Sequence, residues 1–67
     1  MHPATAAVLR YFDFGHLPEG TPRDTSELFH DLAHTLAEAL PDGPEKTVAL
    51  RKLLEGKDAA VRSALDA

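Results

Sequence analysis

Two histidines four residues apart, in His30-Asp31-Leu32-Ala33-His34, have the spacing that places both rings on one face of a helix, where they could share a metal ion. Hydrolytic use of such a metal needs a base with the reach of Glu. Asp31 is one methylene shorter, no third ligand follows at a recognised spacing, and His2 or His16 could join only through the fold. No metal is therefore expected. Nucleophilic chemistry has as little to draw on, because the chain has no Cys and neither Ser26 nor Ser63 sits in a glycine-flanked elbow. No glycine-rich phosphate loop occurs, the carboxylates are scattered rather than paired, and 67 residues leave little room for an enclosed pocket. The expectation is a protein that is not an enzyme and needs no cofactor.

Binding chemistry is better represented. Tyr11, Phe12 and Phe14 form a dense aromatic cluster. Its residues either supply core, since aromatics bury large areas, or form a platform on which a nucleobase stacks. His16 and Arg23 lie in a stretch rich in Gly and Pro and are the polar groups most free to serve a ligand, or are merely solvated. Lys46, Arg51, Lys52, Lys57 and Arg62 place five of the seven basic residues within one segment. The whole chain is nevertheless acidic, with 7 Lys and Arg against 11 Asp and Glu and a net charge of −4. That balance argues against a surface for polymeric nucleic acid and leaves room for a small anion in a local pocket.

Three helices must position these groups. Val8, Leu9 and the aromatics predict a first helix over residues 3–14, with Pro3 in its first turn. Residues 15–23 read as a loop. Asp24 and Glu27 have capping-box spacing, with Thr25 and Ser26 as alternative caps, so a second helix is expected over residues 25–40. Leu28, Phe29, Leu32, Ala33, Leu36, Ala37 and Leu40 recur along it at three- and four-residue steps as one apolar stripe. Pro41 and Gly43 end it, Asp42 and Glu45 again have capping-box spacing, and Pro44 opens a third helix over residues 44–65. Val48, Leu50, Leu53, Leu54, Val61, Ala64 and Leu65 form its apolar face, interrupted by Gly56. The result is one all-α domain, a short helix followed by an antiparallel two-helix hairpin. A chain this size buries only about 60% of the surface it exposes when unfolded, so self-association is the expected supplement to its core. No run reaches the roughly 20 apolar residues of a membrane span, and no leader-like segment opens the chain, which points to a cytoplasmic protein.

The segment Pro41-Asp42-Gly43-Pro44-Glu45-Lys46-Thr47-Val48-Ala49-Leu50-Arg51-Lys52-Leu53-Leu54-Glu55 resembles small phage proteins that share the anti-CBASS and anti-Thoeris hairpin domain. In that family a Leu-Pro pair and a polar turn lead into a basic helix, and Glu45-Lys46, Ala49-Leu50 and Lys52-Leu53 fall in the matching places. The likeness spans roughly residues 29–64. It departs late in the last helix, where Asp58-Ala59-Ala60 stands in place of a bulky residue. What the resemblance implies is a sponge, a helical homo-oligomer that sequesters cyclic nucleotide signals of bacterial antiviral defence between its protomers without cleaving them. By the same resemblance Tyr11, with Phe12 second, would stack on a base, and Lys46, Arg51, Lys52 and Arg23 would meet the phosphates.

The leading expectation is thus a phage-type anti-defence protein in the host cytoplasm that binds a cyclic di- or trinucleotide. The alternative is a protein–protein interaction module that lays a broad apolar helix against a partner's helix.

Overall fold

The computed structural model describes residues 2–66 and is all-α, with no strand among them. Helix α1 spans Pro3–Leu9, a 3-10 turn continues it over Arg10–Phe12, α2 spans Thr21–Ala39 and α3 spans Pro44–Asp66. The hairpin of α2 and α3 is the body of the molecule, and α1 lies across one of its faces. No helix is long and apolar enough to cross a membrane.

The first helix is shorter than its apolar pattern predicts. His2 caps it, its Nδ1 accepting from the Ala4 N–H at 3.0 Å, but after Leu9 the chain tightens into the 3-10 turn. Asp13 then becomes extended (φ −59°, ψ 141°), and its N–H donates to the Arg10 carbonyl at 3.4 Å. Phe14 therefore lies outside the helix. Because a 3-10 turn advances each residue further around the axis than an α-helix does, neighbours Tyr11 and Phe12 diverge: Phe12 is fully buried and Tyr11 is 57% exposed.

The second helix begins earlier than its capping pattern predicts. Gly20 is its N-cap at φ 138°, a backbone conformation that favours glycine, and no side chain caps it. Pro22 fits the first turn, where its missing N–H costs nothing, and Asp24 donates its N–H to the Gly20 carbonyl at 3.0 Å. Asp24 is thus a first-turn acid favoured by the helix dipole rather than a cap. The shift carries Pro22 and Arg23 into the helix and turns Ser26 into the core, where its hydroxyl is buried with no hydrogen-bond partner.

At the hairpin turn, Leu40 is extended (φ −93°, ψ 142°), as a residue before proline prefers, and α2 ends there. Asp42 does not act through a backbone cap. Its carboxylate accepts from Lys46 Nζ at 2.9 Å, and the same ammonium donates to the Leu40 carbonyl at 3.1 Å. One lysine, only 6% exposed, thereby joins both sides of the turn. The hydrogen bond from Lys46 is the main reason the Asp42 carboxyl titrates below its usual range.

Val8, Leu9, Phe12, Ala33, Ala37 and Leu50 form the core, with Phe29, Leu36, Leu53 and Leu54 half-buried against it. Ala33 and Ala37 let α3 and the first helix approach α2 closely. The stripe along α2 is not all core: Leu28, Leu32 and Leu40 are exposed, as are Val48 and Leu65 on α3.

Candidate functional site

Between α1 and α3 lies a hollow of about 310 Å³, lined by Ala7, Val8, Arg10, Tyr11, Arg51 and Leu54. Three features of the local sequence build it. The 3-10 turn rotates the Tyr11 ring outward while Phe12 anchors the turn from beneath. Lys57 reaches across from α3 and donates to the Tyr11 carbonyl at 3.0 Å, so the turn is tied to α3 by its own backbone. Arg51 stands one position beyond the buried Leu50 and so at the rim of the face that α1 covers.

The outcome is a hollow that Tyr11 lines together with Arg10, Arg51 and the apolar Ala7, Val8 and Leu54. The Arg10 guanidinium lies 5.5 Å from the centre of the Tyr11 ring, within cation–π range. Arg51 is exposed and takes part in no ion pair among the described residues. Arginine forks donate in pairs to phosphate oxygens, and an aromatic face accepts any base. At about 310 Å³ the hollow is at the small end of ligand sites, roughly 300–1,000 Å³, and suits one base with its adjoining phosphate.

Of the residues singled out in the sequence, the fold brings Tyr11 and Arg51 together and separates the rest. Phe12 is core, so its ring has no face for a ligand. Lys46 is buried in the hairpin turn with its ammonium held by Asp42 and Leu40, which removes it from the phosphate-binding set. Lys52 is exposed but pairs with Glu55 at 3.5 Å and does not line the hollow. Arg23 lies over the Phe14 ring, 5.7 Å from its centre, on the α2 side of the molecule. Arg10 was missed, although its place beside Tyr11 in the chain was the available signal.

Two other polar clusters are distinct from this hollow. His30 meets Phe14 edge-on with ring centres 5.0 Å apart and His34 at 4.3 Å, while its Nδ1 lies 3.1 Å from Asp31 Oδ1. Among the described residues no third ligand-type side chain joins the histidines in a cluster suited to a metal. A larger hollow, about 500 Å³, lies where His2, Thr5, Asp42 and Thr47 meet. It presents the Asp42 carboxylate and no lysine or arginine, and its His2 ring is used as a helix cap.

The chain matches no protein-family model, no curated protein and no solved structure.

Proposed function

We propose that this chain binds a cyclic di- or trinucleotide in the hollow between α1 and α3 and sequesters it intact. The observation that carries the reading is that the exposed Tyr11 ring, Arg10 and Arg51 line one hollow with the apolar Ala7, Val8 and Leu54. Tyr11 stacks on a base, and the guanidinium groups meet the phosphates. The hollow takes one base, so the second is met by another protomer, which gives self-association a role in binding. The motif between Pro41 and Glu55 supports placing this activity among phage sponges that blunt cyclic nucleotide signalling in the host cytoplasm.

Calorimetry against a panel of cyclic di- and trinucleotides tests the reading, with chromatography of the nucleotide recovered afterwards. The expected result is binding by at least one, returned uncleaved. Tyr11→Ala is expected to abolish that binding and the accompanying rise in melting temperature, with helicity unchanged. No binding at micromolar concentrations by any member of the panel would sink the proposal.

A second reading, a protein-interaction module, is favoured by the exposed leucines Leu28 and Leu32 on α2. It predicts association without any thermal shift from nucleotides.

A further inference from the structure

The first helix and its turn meet the hairpin through apolar side chains, with Val8, Leu9 and Phe12 in the core. Such packing is non-directional: it favours burial without fixing how a turn is rotated on the surface beneath it. Direction has to come from a hydrogen bond. Among the described residues one such bond joins this segment to the hairpin, from Lys57 Nζ to the Tyr11 carbonyl, 46 residues away in the chain, at 3.0 Å. The extended Asp13 breaks the turn, so no backbone N–H among these residues donates to that carbonyl, and the last carbonyls of a helical turn need a donor from outside it. The Lys57 side chain is 13% exposed, against 74% for Lys52 on the same helix. Its ion-pair partner Asp58, at 3.9 Å, is beyond hydrogen-bond reach, so the ammonium is committed to the carbonyl. Arg51, Leu54 and Lys57 follow one another at three-residue steps as a row of neighbours on α3, and the first two line the Tyr11 hollow.

We propose that Lys57 is a positioning residue: by holding the Tyr11 carbonyl it fixes the 3-10 turn in the rotation that keeps the Tyr11 ring at the hollow with Arg51 and Leu54 before any ligand arrives. Lys57 does not itself line the hollow, so it acts through Tyr11. A cation suits the place, because the carbonyl it meets ends a helical turn, where partial negative charge gathers. Lys46 does the same work at the other end of α3, donating to the Leu40 carbonyl across the hairpin turn. A platform ordered in advance spares the ligand the cost of ordering it, which is how preorganisation raises affinity. The effect on binding rests on the proposed function, whereas the ordering of the ring does not.

Tyr11 is the only tyrosine and the chain has no tryptophan, so tyrosine emission and the near-UV tyrosine band report on this one ring. Both are read on the full chain without nucleotide, for the parent, Lys57→Met, Lys57→Arg and Arg62→Met. In the parent the ring is expected to move only with the molecule as a whole, giving high fluorescence anisotropy. Lys57→Met keeps the stem and removes the donor; it is expected to lower the anisotropy and lose most of the tyrosine band with the far-UV spectrum unchanged. Lys57→Arg, which retains a donor, is expected to restore most of both. Arg62→Met, an equal loss of charge at an exposed position of α3, is expected to match the parent. Calorimetry then uses the cyclic nucleotide that binds the parent: its affinity for Lys57→Met is expected to be about tenfold weaker at unchanged stoichiometry, and to recover in Lys57→Arg. A ring that rotates freely in the parent would overturn the inference without recourse to any variant. So would a ring as fixed in Lys57→Met as in the parent, or equal losses in the two Lys57 variants. Equal nucleotide affinity of parent and Lys57→Met would overturn the part of Lys57 in binding and leave the proposed function standing. If no nucleotide binds the parent, the proposed function falls and the tyrosine signals alone decide whether Lys57 orders the ring.

Discussion

Tyr11 and Phe12 are adjacent in the chain and opposite in role. Replacing Phe12 with Ala removes a fully buried ring at a cost of about 3–5 kcal/mol, most of what a domain this small can spare, so the variant is expected to lose its cooperative melt. Tyr11→Ala is expected to melt within a few degrees of the parent, which is why the two residues together separate core from ligand platform. Ser26 offers a sharper test of the packing. Its hydroxyl is buried without a partner, so Ser26→Ala removes a desolvated group and adds helix propensity. The variant is expected to be as stable as the parent or more stable by up to about 1 kcal/mol in urea denaturation. A clear loss of stability would show that the hydroxyl is satisfied in solution. In the sequence Ser26 reads as a possible cap; only the true start of α2, four residues before Thr25, turns it inward.

At the scale of elements, the hairpin turn depends on the clip formed by Lys46, Asp42 and Leu40. The Asp42 carboxyl is held below its usual value of 3.8 in the folded protein. A depressed carboxylate contributes stability that is fully present above the unfolded value and is lost as the pH falls through the folded one. The melting temperature is thus expected to fall more steeply below pH 3.8 for the parent than for Asp42→Asn, while the parent stays the more stable at neutral pH. Parallel melts across that window check it. Gly56 is the corresponding weak point of α3. A Cβ there would meet the Phe29 ring at 3.6 Å, an ordinary van der Waals distance, so Gly56→Ala is expected to raise stability by about 0.5–1 kcal/mol through backbone entropy. Chemical denaturation of dilute protein reads that change apart from self-association.

The whole molecule is a rod, 37 × 18 × 17 Å, because a first helix and turn of ten residues lie on a hairpin whose arms have 19 and 23. A core of six buried apolar side chains serves both long helices, so the surface opposite α1 stays apolar and available. The sequence alone determined the three helices, the hairpin and the position of its turn, since apolar periodicity and the Pro41-Asp42-Gly43-Pro44 break act within a few residues of one another. It offered Tyr11 and Phe12 as core or as a stacking platform, and the family resemblance offered Lys46, Arg51, Lys52 and Arg23 as phosphate contacts. It did not decide which of the lysines and aromatics were available, because residue type is blind to what lies across the fold. Lys46 became a buried clip, Phe12 became core and Arg10 joined the site through a local tightening of the chain after Leu9. Three of the seven residues of the α2 stripe, Leu28, Leu32 and Leu40, face solvent for the same reason: a period of 3.6 residues shows that a helix has an apolar face, while only the packing of α1 on one side of the hairpin decides which part of that face is covered.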